Sequence, residues 1–72
     1  MIKIVLNNGS ARWEKDNKSY GCFRELNKKK TIYGLYVLPL PRRLRIENMI
    51  KSESLADINE WLAKTEVEIV ED

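Results

Sequence analysis

Apolar segments alternate with short polar clusters along the first half of the chain, at a spacing of roughly ten residues. The polar clusters are residues 7–10, 16–19 and 27–30. In the first of them Gly9 follows Asn8, a pair that readily adopts the positive φ of a tight hairpin turn. The segments before, between and after the clusters are predicted strands, at 2–6, 11–15, 20–26 and 31–38. This pattern is typical of antiparallel strands joined by hairpins.

The segment 31–38 differs from the others because both of its faces are apolar. It is rich in β-branched and aromatic residues, as expected of a central strand that is covered on both sides. Gly34 in its middle predicts either a bulge or a close approach of another group to the backbone.

Residues 42–50 fit two patterns. Leu44 and Ile46 alternate with charged residues, which favours a strand, whereas Ile46, Met49 and Ile50 have helical spacing. We interpret the segment as a strand.

A helix is predicted over about 54–64. Ser54 is its expected N-cap, with Asp57 in a shortened capping box. One apolar stripe follows, made of Leu55, Ile58, Trp61 and Leu62. Residues 66–70 then alternate again and predict a closing strand.

These elements predict an α+β fold in a single compact domain, 1–72. We expect a small antiparallel β-meander or half-open barrel of about five to six strands, with one helix in the C-terminal half and the closing strand. Pairing of the first and last strands would place Lys3 opposite the acidic residues Glu66 and Glu68.

Several kinds of chemistry are disfavoured by what the sequence lacks. The 72 residues include no histidine and a single cysteine, so the usual general base and a Cys/His zinc site are both missing. Cys22 has no partner for an intrachain disulfide, and we expect it to be a small buried residue. The expectation is therefore a protein that is not an enzyme and has no cofactor and no metal.

No segment predicts a membrane span or a signal peptide. The longest uncharged apolar run is residues 31–41, well short of the roughly 20 residues that cross a bilayer. The apolar start of the chain is too short for a signal-peptide core. A cytoplasmic protein is expected, of the kind that bacteria or their viruses use as small accessory proteins.

Charge is unevenly distributed along the chain although the net charge is only +2. Residues 1–45 carry +8 and residues 46–72 carry −6. Such asymmetry is a hint of nucleic-acid binding, and it is equally explained by pairing of the two halves inside the fold. The densest basic groups flank the predicted strand 31–38, which spans about 26 Å, so they would form one patch only if the sheet curves.

Two functions fit these features. The first is a small protein-binding factor, an inhibitor or adaptor that docks on a larger protein, such as one that processes nucleic acid, through a sheet edge, an aromatic patch or a basic face. The alternative is a nucleic-acid-binding module that uses basic residues and aromatic stacking. Self-association is compatible with both. The candidate binding residues are Arg12, Trp13, Lys28, Lys29, Lys30, Tyr33, Tyr36, Arg42, Arg43 and Arg45.

Overall fold

The computed structural model describes residues 1–39 and 48–71. The described elements are six strands, one α-helix and a 3-10 helix that continues it. In chain order they are β1 (Ile2–Leu6), β2 (Ser10–Lys15), β3 (Lys18–Asn27), β4 (Lys30–Pro39), β5 (Asn48–Ser52), α1 (Leu55–Leu62), the 3-10 helix Ala63–Thr65 and β6 (Val67–Glu71).

The strands form two separate sheets. Strands β2, β3, β4 and β5 pair in sequence order into an antiparallel four-stranded sheet, whereas β1 and β6 form a parallel pair. The predicted α+β fold, with an antiparallel meander, one helix in the C-terminal half and a closing strand, is confirmed. The described strands do not close into a barrel.

Three two-residue turns connect β1 to β2, β2 to β3 and β3 to β4. All of their central residues have positive φ, as the right-handed twist of a tight hairpin requires. These residues are Asn8 (56°), Gly9 (80°), Asp16 (52°), Asn17 (60°), Lys28 (51°) and Lys29 (70°). The turns therefore lie within the three predicted polar clusters.

The core lies between the four-stranded sheet and a second layer made of β1, β6 and α1. Ile58 and Leu62 of the helix are fully buried against strand residues such as Leu35 and Val37. The other buried apolar residues are Leu6, Tyr20, Cys22, Val67 and Ile69. No helix in the described part of the chain is long and apolar enough to cross a membrane.

The predicted pairing of the first and last strands is confirmed, and the two strands run parallel. Ile2 N donates to Glu66 O at 2.9 Å, and Lys3 lies opposite Glu68 in the register. Glu66 itself has φ 61° and precedes β6, so it does not share a strand face with Glu68.

The helix begins where predicted, but the predicted capping box is wrong. Ser54 is the N-cap by position, yet its side chain makes no capping hydrogen bond. The hydroxyl of Ser52 contacts the start of the helix in another way: its Oγ accepts from Ser54 N at 3.1 Å and donates to Asp57 Oδ2 at 2.6 Å.

Trp61 belongs to the predicted apolar stripe of α1 but is 40% exposed. Its helical neighbours Ile58 and Leu62 occupy the space against the sheet.

In the ambiguous segment 42–50, residues 48–50 belong to β5 and are a strand as predicted. Residues 42–47 lie outside the described residues.

Candidate functional site

The two faces of the four-stranded sheet have different surroundings. Residues opposite one another on antiparallel strands share a face. Cys22, Leu35 and Ile50 share the inner face, which packs against the second layer. Within residues 1–39 and 48–71 no helix or strand packs on the other face, here called the outer face. Its side chains include Arg12, Phe23, Glu25, Ile32, Tyr36, Met49 and Lys51.

Two aromatic rings at the centre of the outer face lie directly against glycine backbone. Phe23 is opposite Gly34, and Tyr36 is opposite Gly21. A Cβ atom at Gly21 would lie 2.1 Å from Tyr36 Cζ, and one at Gly34 would lie 2.2 Å from Phe23 Cζ. Only glycine leaves room for a ring at these distances. The close approach predicted at Gly34 is present, and the unbroken register through it shows that there is no bulge.

The rings form a reciprocal pair across β3 and β4. Their centroids are 6.4 Å apart and their planes are inclined by 39°. This distance is within the range of favourable aromatic pairs. Both side chains are partly buried, and Met49, opposite Tyr36 on β5, extends the apolar surface with 46% of its side chain exposed.

Ion pairs border this aromatic surface. Lys51 Nζ lies 5.9 Å from the centroid of the Phe23 ring and 3.7 Å from Glu25 Oε1. Lys30 Nζ is 3.7 Å from Glu53 Oε1. Between these pairs lies a shallow hollow of about 530 Å³ that also includes Ile32. The charges beside the rings are therefore balanced rather than uniformly basic.

Two of the predicted aromatic binding residues lie on the inner side of the sheet. Trp13 stacks on Tyr20, with centroids 5.4 Å apart and planes 4° apart, and packs against the core. Tyr33 also packs against the core, and its hydroxyl donates to Glu71 Oε1 at 2.6 Å. Of the predicted aromatics, Tyr36 alone contributes to the outer face.

The hydrogen bond from Tyr33 joins a small network with Arg24, which forms an ion pair with the same carboxylate of Glu71. The hydrogen bond to Glu71 raises the pKa of Tyr33. The hydrogen bonds from Tyr33 and then Arg24 lower the pKa of Glu71. This network joins β6 to β3 and β4, so it is a contact between the two layers.

The predicted basic residues are dispersed. Arg12 is exposed on the outer face, opposite Gly21. Lys28 and Lys29 form the β3–β4 turn, and Lys30 pairs with Glu53. Arg42, Arg43 and Arg45 lie outside the described residues. The turn is at one end of the ten-residue strand β4, and the segment that contains the arginines follows its other end.

The described residues contain no assembled metal site or activated thiol. No group of three or more His, Cys, Asp or Glu residues among them is placed to hold a metal ion. Cys22 is buried, and this burial raises the pKa of its thiol to about 11, which keeps it protonated near neutral pH.

Phe23, Gly21 and Met49 belong to the outer face and were not among the predicted binding residues. The sequence does contain a signal for Phe23 and Gly21, since β3 and β4 each contain a glycine two residues before an aromatic residue. A two-residue turn at Lys28 and Lys29 then dictates that each glycine faces the other strand's aromatic ring.

The chain was compared with family models, with curated proteins and with solved structures, and none of them matches.

Proposed function

We propose that this chain is a small non-catalytic protein-binding factor that docks on a larger protein through its outer face. The observation that supports the proposal is the reciprocal seating of Phe23 and Tyr36 on Gly34 and Gly21. Rings held in this way lose little conformational freedom on binding, which reduces the entropic cost of an interface.

The outer face has the composition that is typical of the centre of a protein–protein interface. Aromatic residues and methionine are enriched in such centres, and binding energy concentrates in a few of these residues, surrounded by polar ones. Phe23, Tyr36 and Met49 make a contiguous apolar group, and the ion pairs Lys51–Glu25 and Lys30–Glu53 border it. The partner would present an apolar surface of similar size with charges of both signs at its rim.

The charge balance of the outer face favours a protein over a nucleic acid. A phosphate-binding surface needs several unneutralised cations in one patch. Here Lys51 and Lys30 each have a carboxylate at 3.7 Å, and Lys51 already covers part of the Phe23 ring. A base would have to displace that ammonium group to stack on the ring.

The test compares two exposed apolar positions in a capture experiment. Met49→Asp places a charge on the outer face, whereas Leu26→Asp is its matched control near the β3–β4 turn, where the side chain is 77% exposed. A protein retained from a lysate of the source organism would be purified and titrated against all three chains by calorimetry. We expect Met49→Asp to weaken binding at least about 30-fold and Leu26→Asp to change it less than about threefold.

Equal effects of the two substitutions would contradict the proposal. Fluorescence anisotropy with labelled single-stranded DNA, duplex DNA and RNA is run in parallel at low and moderate salt. Binding that weakens steeply with salt and is lost on replacement of the basic residues would support the nucleic-acid alternative instead.

A further inference from the structure

The outward backbone groups of the edge strand β5 follow from the register of the β3–β4 hairpin. In a hairpin with a two-residue turn, the residues that flank the turn exchange both backbone hydrogen bonds, and such pairs recur at every second position. Asn27 and Lys30 flank the turn at Lys28 and Lys29. The even-numbered residues of β4 therefore bond to β3, and its odd-numbered residues bond to β5.

In β5 the pairs with odd-numbered residues of β4 are made by residues 48, 50 and 52. The N–H and C=O groups of Met49 and Lys51, which lie between them, consequently point away from the sheet. No described strand lies beyond β5. This edge thus presents the donors and acceptors of two residues to an incoming strand.

One side of α1 lies next to this edge. Asn59 faces the opposite way, where its side-chain amide forms hydrogen bonds with the backbone of β6. Asp57 and Trp61 are four residues apart and lie on the other side of the helix from Asn59. With Ile50 and Glu60 they line a shallow hollow of about 380 Å³ between α1 and β5. The hollow is therefore beside the edge, on the inner side of the sheet.

The chemistry of this hollow suits an arginine side chain. Trp61 is 40% exposed, and an indole ring attracts a cation to its face. Asp57 and Glu60 contribute two carboxylates, and among the described residues neither of them forms an ion pair. Arginine combines an apolar stem, which would cover Ile50, with a planar cation that forms hydrogen bonds with carboxylates.

We propose that the edge of β5 binds an extended segment of a partner protein as a fifth antiparallel strand, with an arginine side chain of that segment in the hollow. The inference rests on the proposed function, in that the partner is a protein, and adds the mode of binding. The arginine lies opposite Ile50, so its side chain is on the inner face. Its two neighbours in the segment exchange backbone hydrogen bonds with Met49 and Lys51, and their side chains extend the outer face.

Charge complementarity favours a basic protein segment as the occupant. The carboxylates of Asp57 and Glu60 would repel a phosphate backbone, and they would repel an acidic side chain in the hollow for the same reason. Main-chain hydrogen bonds supply affinity for any extended segment, whereas the side chain in the hollow supplies specificity. Apolar residues on both sides of the arginine would add to the apolar surface around Met49.

The first experiment uses a blocked seven-residue peptide, Thr-Thr-Val-Arg-Val-Thr-Thr, titrated into the isotope-labelled full chain and followed by NMR. We expect shifts of the amide N–H groups of Met49 and Lys51 and of the indole N–H of Trp61, with a dissociation constant on the order of 100 µM to 1 mM. Absence of binding at about 5 mM peptide would overturn the proposal. Shifts of the same groups when the chain alone is concentrated would show a second copy at this edge, and would also overturn it.

Modified peptides test the contacts one at a time. Citrulline in place of arginine keeps the shape but removes the charge, and should weaken binding about tenfold. N-methylation of the two valines removes the N–H groups that face β5, and should weaken binding at least about tenfold. N-methylation of the arginine, whose N–H points away from β5, should change binding less than about threefold. Equal effects of the two kinds of N-methylation would contradict the antiparallel register.

Charge reversal in the protein tests the hollow. Glu60→Lys should weaken binding of the arginine peptide at least about tenfold, and should tighten binding of a peptide with glutamate in place of arginine. Misfolding of the variant would not produce that rescue. The matched control is Glu14→Lys, which makes the same charge change at an exposed residue of β2, at the other edge of the sheet. It should change binding less than about threefold, and an effect equal to that of Glu60→Lys would contradict the proposal.

Failure of this proposal is distinguishable from failure of the proposed function. A captured protein whose binding is lost with Met49→Asp but unchanged by Glu60→Lys would use the outer face alone. That result would overturn the proposal for β5 and leave the proposed function intact. Peptide binding that is sensitive to Glu60→Lys, together with equal effects of Met49→Asp and Leu26→Asp on the captured protein, would do the reverse.

Discussion

Gly21 shows how one missing Cβ atom positions an aromatic side chain. A methyl group there would collide with the Tyr36 ring, so Gly21→Ala must displace the ring from the backbone. We expect destabilisation of about 1 kcal/mol from the lost cross-strand contact. Urea unfolding measures the free energy, and the chemical shifts of the Gly21 α-protons in the parent protein report the ring above them.

The same substitution should change sign when the ring is absent. In a Tyr36→Ala background, Gly21→Ala has no ring to displace, and alanine is favoured over glycine in a strand interior by roughly 0.5–1 kcal/mol. The double-mutant cycle would then give a clear coupling energy between the two positions. A loss of stability in both backgrounds would show that Gly21 is required for a reason other than the ring.

At the scale of elements, the β3–β4 hairpin has the least favourable turn of the three. Its central residues Lys28 and Lys29 have φ 51° and 70°, a conformation that costs side-chain-bearing residues roughly 1–2 kcal/mol each. The β1–β2 turn uses Asn8 and Gly9 for the same geometry. Replacing both lysines, by Lys28→Asn and Lys29→Gly, should therefore stabilise the protein by about 1 kcal/mol.

The double variant also removes two positive charges, and a matched control separates that effect. Lys28→Gln with Lys29→Gln removes the same charges but has no preference for positive φ. Urea midpoints of the two double variants should differ by most of the expected gain. If the two urea midpoints coincide, the positive φ values of Lys28 and Lys29 do not destabilise the protein.

At the scale of the whole molecule, the elements were largely predictable because their signals are local. Positive-φ residue types at Asn8–Gly9 and Asp16–Asn17 mark two hairpins, and the strand limits follow from them to within two residues. Pairing of the first and last strands predicts Lys3 opposite Glu66 and Glu68; the structure places Lys3 opposite Glu68 and shows that the two strands run parallel. Whether β1 and β6 run parallel or antiparallel depends on how the chain connects them, and the charges alone do not specify this.

The composition of the candidate site was less predictable, because exposure depends on which face of an apolar strand is covered. Strand β4 is apolar on both faces, so the sequence does not distinguish Tyr33, which packs against the core, from Tyr36, which lies on the outer face. Helical spacing places Trp61 in the apolar stripe of α1, but Ile58 and Leu62 of that stripe are the residues buried in the core, and Trp61 remains exposed. The side chain of Ser54 makes no capping hydrogen bond, and the hydroxyl that contacts the helix start is that of Ser52, which ends β5.

The contact of Glu71 with Tyr33 and Arg24 joins the two layers and should make stability depend on pH. The pKa of Glu71 is lowered in the folded protein, chiefly by the hydrogen bond from Tyr33 and then by that from Arg24. Its contribution is therefore present above the pKa of the unfolded chain and is lost as pH falls through the folded value. Unfolding free energies from urea titrations between about pH 2 and pH 7 should thus decrease toward acid pH.

Two variants test how much of this acid dependence arises from the network of Glu71, Tyr33 and Arg24. Glu71→Gln should remove the part that arises from the network, because the amide does not titrate. Tyr33→Phe should remove a smaller part, since it deletes the leading hydrogen bond and retains the ion pair with Arg24. An unchanged acid slope in Glu71→Gln would mean that the network does not stabilise the folded protein. A full loss in Tyr33→Phe would mean that the hydrogen bond from the phenol alone accounts for the acid dependence of stability.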